Sequence, residues 1–477
     1  MTGKFFDIIA GIYQNDISCI KVNGKLSPTF KATSGVKQGC ILSPLLFNIF
    51  MADLPDMLNQ NDNVQLSQQI KTNCIIWADD ILILSETEEG LNKSLQGLAE
   101  YCKINELNVN KDKTKCMIFN KTGRLMRRHF YLGATKLETV NAYKYLGLVV
   151  TPSGEIKSAL EDLRGRALKA YMGLKYKLGT CFQNHIEETC KLFDSLVKPI
   201  LLYASDFWGC IKPPANNPIE NLHSMFCKHL LGVHKSTTNV GVLLELGRTP
   251  LMLDAQKASI KNWARISNSN TNILTKASYD GALAHDLDWN TSIRTSITHC
   301  GLCIKEPCAN KNLYKDFSKR KKDIFIQNSI ASLHRPDAKL RTYGLIKDTL
   351  SIEKYLTLVR NIKHRVSLSR FRLSNHKLMI EVGRHNKPKK LEEHQRVCPL
   401  CPHACIENEI HFLTSCKAYE TLRKSLYDQC AEMKTNFTFY TDEQKFKFIM
   451  SCEYLSVQVA KFVHNAMNVR SEIIENN

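Results

Sequence analysis

Two adjacent carboxylates, Asp79 and Asp80, interrupt an otherwise apolar stretch at residues 74–84. This pattern predicts a β-hairpin with Ala78 and the two acids at the turn and with both arms buried. Carboxylates in apolar surroundings are costly unless a cation neutralises them. Two-metal phosphoryl transfer needs such a turn, because Mg²⁺ held by clustered carboxylates can bridge phosphate oxygens. The alternative interpretation is a solvent-exposed acidic turn without metal.

A loop bounded by glycines precedes the acidic pair. Gly35 and Gly39 let the backbone approach a ligand closely, and Gln38 offers donors and acceptors beside them. Ser43, placed before a proline, predicts the N-cap of a helix over residues 43–54. This loop favours the metal-binding interpretation of the acidic turn over the simple exposed turn.

Two shorter segments follow the acidic pair. A lysine-rich stretch that includes Lys113 comes after a predicted helix over residues 88–105. Farther along the chain, the run Tyr145-Leu146-Gly147 predicts a short strand that ends in a turn at the glycine. With the acidic turn and the glycine loop, these segments make four pieces in a fixed order.

The C-terminal part of the chain contains four residues at the spacing of a zinc site: Cys398, Cys401, His411 and Cys416. Three thiolates and one imidazole satisfy tetrahedral Zn²⁺. His403 and Cys405 lie inside the loop as substitute ligands, so the sequence leaves the ligand set open. A weaker second candidate consists of His299, Cys300, Cys303 and Cys308.

The cysteine content and the N-terminal sequence indicate the cellular compartment in which the protein is expected. The chain has 18 cysteines in 477 residues, a high content for this length. Lys4 and Asp7 interrupt the first apolar run, so it does not fit a secretory signal peptide. No stretch reaches the ~18 apolar residues of a membrane helix. We therefore expect a soluble intracellular protein, nuclear or cytoplasmic, with reduced thiols and without membrane or secreted partners.

The charge balance favours a polyanionic partner. Hydrophobic residues make up 43% of the chain, which excludes wholesale disorder, and the net charge is +19. From residue 156 an apolar stripe at helical spacing is flanked by lysines and arginines, and residues 311–322 hold six basic residues against one acid, Asp316. We predict salt-sensitive RNA or DNA binding through the helix at residues 157–177 and the basic segment. The alternatives are a solvated face, a linker and a localisation signal.

In their order and spacing, the four N-terminal segments resemble the reverse transcriptase palm of non-long-terminal-repeat (LINE-type) retrotransposons. The resemblance implies that Asp79 and Asp80 are catalytic and that Asp79 holds Mg²⁺. It implies that nucleotide and template are bound by Gly35, Gln38, Gly39 and Lys113, and that the primer is gripped by Tyr145, Leu146 and Gly147. Trp77 departs from the Tyr or Phe that usually precedes the family's acidic pair.

The resemblance continues through a thumb-like helical region at residues 192–197, 203–208 and 245–248. The C-terminal cluster also looks like the small zinc motif of such elements. These likenesses imply an RNA template and a DNA primer as partners, with Mg²⁺ and Zn²⁺ as cofactors. The family's palm begins with a further strand that carries a catalytic Asp. Only 34 residues precede Gly35, and we expect surface or capping roles for Asp7 and Asp16.

We therefore expect a truncated, weakly active or inactive copy of such an enzyme. The alternatives are a non-catalytic RNA- or DNA-binding relic with a structural zinc module, and a zinc-stabilised protein-interaction module. The expected fold class is α+β. The expected segments are a partial palm at 1–150, a helical thumb-like region at 151–266, a basic polar connector at 267–395, a zinc knuckle at 396–420 and a C-terminal helical tail at 421–477.

Overall fold

The computed structural model describes residues 3–14, 16–32, 35–268, 273–304, 312–335, 338–385, 390–402 and 404–475. The chain divides into two compact units. The first unit comprises Met1–Ile118 and Leu125–Asn141, and the second comprises Phe119–Arg124 and Ala142–Asn477. Cys308 and His403, which the sequence analysis considered as metal ligands, lie outside the described residues.

The first unit mixes helices with short strands. Its helices are α1 (Lys4–Gln14), α2 (Ser43–Phe50), α3 (Leu54–Met57) and α4 (Glu88–Ile104). Its strands are β1 (Ile17–Ser18), β2 (Lys21–Val22), β3 (Lys25–Leu26), β4 (Phe30–Lys31), β5 (Val64–Gln65), β6 (Lys71–Thr72), β7 (Cys74–Trp77), β8 (Asp80–Ile83), β9 (Lys115–Cys116), β10 (Phe130–Leu132) and β11 (Thr135–Thr139). Strands β10, β11 and β9 form a three-stranded sheet, and the antiparallel pairs are β1–β4, β2–β3, β5–β6 and β7–β8.

Helix α4 carries the core of the first unit. It begins at the N-cap Thr87, whose hydroxyl accepts a hydrogen bond from the backbone of Gly90 at 3.0 Å. Its buried face packs with residues from α3, β7 and β10. Tyr101 on this face donates hydrogen bonds to the carbonyl of Phe50 at 2.9 Å and to Asp53 at 2.8 Å. These bonds tie α4 to the end of α2 and the start of α3.

The helix predicted over residues 43–54 is divided, because α2 ends at Phe50 and α3 begins at Leu54. The prediction that Ser43 is the N-cap was wrong, since Leu42 occupies that position. The Ser43 hydroxyl instead donates to the carbonyl of Lys37 at 2.6 Å. The side chain therefore closes the preceding loop rather than the helix end.

The second unit is mainly helical. It opens with the hairpin of β12 (Tyr143–Tyr145) and β13 (Leu148–Val150). Its helices are α5 (Lys157–Leu178), α6 (Cys181–Asn184), α7 (Ile186–Leu196), α8 (Lys198–Leu201), α9 (Ser205–Trp208), α10 (Pro218–Leu231), α11 (Asn239–Glu245), α12 (Leu251–Ser267), α13 (Ile273–Ala284), α14 (Asp288–Thr298), α15 (Leu313–Leu333), α16 (Tyr355–Leu358), α17 (Ile362–Arg372), α18 (Met379–Val382), α19 (Glu409–Thr414), α20 (Glu420–Met433), α21 (Asp442–Ser451) and α22 (Ser456–Glu475).

The apolar stripe predicted on the long helix is buried in the second unit. Leu160, Leu163, Ala167, Tyr171 and Leu174 of α5 all lie in its largest core. The same core includes residues of α10, α17, α19 and α22. The segment at residues 267–395, defined by its polar and basic composition, thus contributes helices and buried side chains to this core.

The described residues combine helices and strands, as the sequence predicted, with every strand before residue 151. None of the helices in the described part of the chain has both the length and the apolarity that crossing a bilayer requires.

Candidate active site and metal centre

The acidic pair lies on the predicted hairpin. Strands β7 and β8 pair antiparallel, with Trp77 opposite Asp80, so Ala78 and Asp79 form a two-residue turn. Ala78 has a φ of 53°, a left-handed conformation that disfavours large or branched side chains. Asp79 therefore lies in the turn itself and Asp80 begins β8. Both carboxylates are exposed to solvent.

Only one face of this hairpin is buried. Cys74 is buried, and Ile76 and Ile81 pack against the core of the first unit. On the other face Ile75 is 39% exposed and Trp77 is 66% exposed. The prediction that both arms are buried holds for the inward face alone, because the core of the first unit packs against that face and does not include Ile75 or Trp77.

Asp79 and Asp80 present two carboxylates to a possible metal ion. In the described part of the chain, no other Asp, Glu, His or Cys joins them in a group compact enough to hold a metal ion. Mg²⁺ in proteins is commonly held by one or two carboxylates together with waters and substrate phosphates. The turn therefore fits a magnesium ion that arrives with a nucleotide better than a permanently held one.

The glycine loop has the backbone that its sequence predicted. Gly35 and Gly39 have φ values of 85° and 83°, which side-chain-bearing residues rarely adopt. Gln38 between them is exposed. Beside it Lys37 forms an ion pair with Asp16 at 3.0 Å, so Asp16 has a charge-pairing role at the surface.

Lys113 lies in a turn that follows α4 in the first unit. Its backbone N–H donates to the Asn110 side chain at 3.1 Å, and its own side chain is exposed. Lys115, at the start of β9, pairs with Glu138 of β11 at 2.7 Å. Lys115 thus pairs within the sheet of the first unit, and Lys113 lies in the exposed turn before it.

The run Tyr145-Leu146-Gly147 forms the turn of the β12–β13 hairpin in the second unit. Leu146 and Gly147 both have positive φ, at 45° and 80°, as a type I′ turn requires. Tyr203 donates a hydrogen bond to the carbonyl of Leu146 at 2.7 Å, and Arg166 donates to the carbonyl of Gly147 at 2.8 Å. No pattern in the sequence connects these two side chains with the turn.

The four predicted zinc ligands converge. The ligand atoms of Cys398, Cys401, His411 and Cys416 all lie within 4.8 Å of one another. The Cys401 Sγ lies 3.4 Å from both the His411 Nε2 and the Cys416 Sγ, and Cys398 and Cys416 are 3.9 Å apart. A tetrahedron built on Zn–S bonds of about 2.3 Å has edges of about 3.8 Å. These three distances therefore lie close to the edges of a zinc tetrahedron.

Local structure explains this convergence. Cys398 follows a β-bridge between Val397 and Ile406, and its N–H donates to the carbonyl of Cys405 at 2.8 Å. His411 lies on α19, whose N-cap Asn408 accepts from the His411 N–H at 2.8 Å. The chain then turns directly after α19, which brings Cys416 back to the other three ligands.

The last turn of α19 is capped by a buried arginine. Arg423 donates to the carbonyls of Leu413 and Cys416, each at 2.8 Å. These bonds satisfy carbonyls that a helix end leaves without partners. Around the thiols, a hydrogen bond with Cys416 lowers the pKa of Cys398 to about 4, which favours the thiolate that a metal requires.

The alternative ligands do not join this group. Cys405 is exposed and lies outside the cluster of four ligand atoms. In the second candidate Cys300 is buried and Cys303 is exposed, and they form no metal-sized group with other described residues.

Two of the thumb-like motifs hold the helices of the second unit together. Asp194 on α7 accepts two hydrogen bonds from Arg248, at 2.5 and 3.1 Å. Glu245 is completely buried and accepts hydrogen bonds from Tyr343, Tyr355 and Arg372, each at 2.7 Å. The motifs at residues 192–197 and 245–248 thus have a structural explanation that their sequences did not reveal.

Comparison with known proteins identifies the first part of the chain. The model of the reverse transcriptase (RNA-dependent DNA polymerase) family matches residues 4–150. These residues, which include the acidic hairpin and the glycine loop, are therefore similar to a reverse transcriptase domain.

Similar proteins of known name indicate which kind of reverse transcriptase the chain resembles. The chain is 30% identical over 170 residues to the Pol polyprotein of the type-2 retrotransposable element R2DM of Drosophila melanogaster, an alignment covering 33% of this chain and 16% of that protein. It is 25% identical over 227 residues to the probable RNA-directed DNA polymerase of transposon BS of the same species, covering 46% and 25%. It is 22% identical over 238 residues to the RNA-directed DNA polymerase of the mobile element jockey of Drosophila funebris, covering 49% and 25%.

The chain is thus homologous to the reverse transcriptases of non-LTR, LINE-type retrotransposons, as the sequence motifs predicted. The alignments span at most a quarter of the length of these three relatives.

Proposed function

We propose that the chain carries part of the machinery of an RNA-directed DNA polymerase that copies an RNA template onto a DNA primer. The observation that supports this most directly is the Ala78-Asp79 turn, which presents two exposed carboxylates inside the reverse transcriptase domain. Asp79 would hold Mg²⁺ and Asp80 would support the site. Bound there, the ion would neutralise charge on the phosphates during transfer.

The remaining predicted residues have positioning roles in this proposal. The positive φ values of Gly35 and Gly39 leave space for a nucleotide beside the backbone, and Gln38 offers its amide to a base or sugar. Lys113 supplies a positive charge for a phosphate. The Tyr145-Leu146-Gly147 turn would contact the primer, and its shape depends on Tyr203 and Arg166.

A primer-extension assay tests the proposal. We expect weak extension of a DNA primer on an RNA template with Mg²⁺ and deoxynucleotides, because Asp79 and Asp80 lack a third ligand among the described residues. Asp79→Asn should abolish whatever extension is measured. Asp7→Asn, which removes an exposed carboxylate from the same unit, is the matched control and should leave extension unchanged. Activity that survives Asp79→Asn would contradict the proposal.

The same two-carboxylate geometry supports a second candidate function, a nucleic-acid-binding protein without catalysis. It predicts binding of a template–primer duplex with no extension at any Mg²⁺ concentration. Salt dependence separates this candidate from a protein-interaction module, since phosphate contacts weaken steeply as salt rises.

We propose further that Cys398, Cys401, His411 and Cys416 hold one structural Zn²⁺. The support is the spacing of the ligand atoms, together with the hydrogen bond that the other ring nitrogen of His411, Nδ1, would donate to the Ser415 hydroxyl at 3.4 Å when Nε2 binds the metal. All four positions of the ion would be filled by protein, which is typical of structural zinc rather than catalytic zinc.

Metal analysis of the full chain, purified under reducing conditions, tests the zinc proposal. We expect about one equivalent of zinc. Cys401→Ser should reduce it to well below one equivalent, whereas Cys405→Ser should retain it because Cys405 lies outside the cluster. Equal loss from both variants would show that the ligand set is different.

A further inference from the structure

The second unit contains a large open cleft whose lining includes none of the four candidate zinc ligands and no residue of the β12–β13 turn. Its volume is about 1100 Å³. One wall is α10 and the loop after it, and the opposite wall is formed by α17 and α22. None of the motifs discussed above accounts for it.

The lining of this cleft is strongly basic. It includes four cations from three separate segments: Lys228, Lys235, Arg370 and Lys377. Among the described residues, no aspartate or glutamate lines the cleft, and no carboxylate forms an ion pair with any of these four. A fifth cation, Arg470, is already neutralised by Glu407 through two hydrogen bonds of 2.7 Å. The cleft therefore carries an uncompensated positive charge.

Two of the four cations are held in place by backbone contacts. Lys228 donates to the carbonyl of Lys235 at 2.8 Å, and Arg370 donates through Nε to the carbonyl of Gly232 at 2.8 Å. The Arg370 contact uses one edge of the guanidinium and leaves its two terminal nitrogens for an anion. Lys235 and Lys377 are exposed and complete the positive rim.

Between the cations the lining consists of neutral hydrogen-bonding groups. They are Asn221, Ser224, Asn239, Asn375, Asn468 and Ser471. His229 and His464 also face the cleft, and burial lowers the pKa of each, so both rings are uncharged at neutral pH. Amides, hydroxyls and neutral imidazoles can donate to or accept from sugar hydroxyls and base edges.

We propose that this cleft binds single-stranded RNA. Lys235, Arg370 and Lys377 contact successive phosphates, and the asparagines and serines contact 2′-hydroxyls and bases. A volume of about 1100 Å³ equals a cube of about 10 Å on each side, the scale of a ligand pocket rather than of a groove that holds a duplex. This site lies outside the reverse transcriptase domain, so it is a contact additional to the proposed active site.

Fluorescence anisotropy with a labelled 12-nucleotide single-stranded RNA and the full chain tests the proposal. The double variant Lys235→Gln/Lys377→Gln removes two exposed charges that have no ion-pair partner among the described residues. We expect it to weaken binding about tenfold at 0.1 M salt and to reduce the slope of log affinity against log salt by about 1.4, or 0.7 per lost phosphate contact. Circular dichroism should show an unchanged fold.

The matched control is Lys424→Gln/Lys434→Gln, which removes the same charge from exposed positions at α20, outside the cleft. This control should change affinity less than twofold. Equal weakening by both variants would show a diffuse charge effect and overturn the proposal. Equal affinity for a single-stranded DNA of the same sequence would overturn the assignment to RNA.

Two further measurements separate this site from the active site and from a protein partner. Asp79→Asn should leave RNA affinity unchanged while abolishing extension, so failure of the polymerase proposal would not affect this one. RNA affinity that does not change between 50 and 200 mM salt would contradict phosphate binding and favour a protein ligand instead.

Discussion

Glu245 shows how a single buried carboxylate can organise a helical unit. It is completely buried, and its partners Tyr343, Tyr355 and Arg372 lie about 100 or more residues later in the chain. Arg372 is buried too, and it also donates to Glu353 at 2.6 Å. A buried ion pair contributes little net stability while intact, but removing one partner leaves an uncompensated charge.

The first prediction follows from this arrangement. Glu245→Gln keeps the shape of the side chain but removes the charge that compensates Arg372. We expect a loss of about 3 kcal/mol in the free energy of unfolding of the second unit, measured by chemical denaturation. Glu353→Gln, at a position that is partly exposed, should cost less. A loss in Glu353→Gln as large as that in Glu245→Gln would contradict the assignment of Glu245 as the main counter-ion of Arg372.

A second prediction concerns His223, which is fully buried between Phe193 and Arg248. Its Nε2 accepts a hydrogen bond from Arg248 at 3.0 Å, which requires the neutral ring. Burial, reinforced by the charge of Arg248, lowers the pKa of His223 below its usual 6.5. Its contribution to stability is therefore present above pH 6.5 and is lost as pH falls below that value.

The measurement is the free energy of unfolding between pH 7 and pH 5 for the parent and for His223→Gln, which retains an acceptor for Arg248. The parent should lose up to about 1.4 kcal/mol more per pH unit than the variant. Parallel pH profiles would show that the pKa of His223 is the same in the folded and unfolded protein, which would contradict the prediction.

For individual residues, the sequence predicted contacts only where the partners are close in the chain. The four proposed zinc ligands lie within residues 398–416 and the acidic turn lies within one hairpin, so local sequence patterns could predict that each group would come together. The Glu245 contacts and the cleft cations come from segments far apart in the chain, and no local pattern connects them. Ser43 was misassigned because its hydroxyl can either accept from the free N–H groups of the helix end or donate to a carbonyl, and it donates to the Lys37 carbonyl.

Among the elements, the contact between α3 and α4 depends on a glycine. A Cβ added at Gly97 of α4 would lie 2.2 Å from the carbonyl oxygen of Met57, far inside the normal contact distance. Because this carbonyl belongs to the backbone, one of the two helices would have to move. The first unit, whose core depends on α4, would be strained as a whole.

The third prediction is that Gly97→Ala destabilises the first unit by about 1–3 kcal/mol. Gly11→Ala, also in a helix of this unit but with open space around it, should be neutral or slightly stabilising, since alanine favours helix. Hydrogen exchange of amides in α4 reports the difference. Unchanged protection in Gly97→Ala would mean that the helices separate without cost.

For the second unit as a whole, the zinc cluster is part of the main core. Phe412 and Leu413, beside the ligand His411, are fully buried together with residues of α5, α10 and α22. The sequence predicted a small knuckle that folds around its metal. The packing instead indicates that the metal site and the helical core share one set of apolar contacts.

The fourth prediction concerns removal of the metal. Chelation should lower the thermal stability of the whole second unit rather than unfold residues 396–420 alone, because Phe412 and Leu413 pack in its shared core. Amides in α5 and α22 should lose hydrogen-exchange protection with a chelator, while those in α4 of the first unit should not. Cys401→Ser should reproduce this pattern without chelator. Loss of protection confined to residues 396–420 would contradict the shared core.

The Glu245 contacts also affect the order in which the two units can fold during synthesis of the chain. Arg372 is 127 residues after Glu245, and a ribosome adding about 5–20 residues per second needs roughly 6–25 s to reach it. Throughout that interval the Glu245 carboxylate must remain hydrated, because its partner Arg372 has not been synthesised. Helix α11, which ends at Glu245, therefore cannot yet form its native contacts. The first unit ends at residue 141 and is free of this delay. Synthesis from the N-terminus therefore favours early folding of the first unit. The helical second unit folds late, once Arg372 has been synthesised.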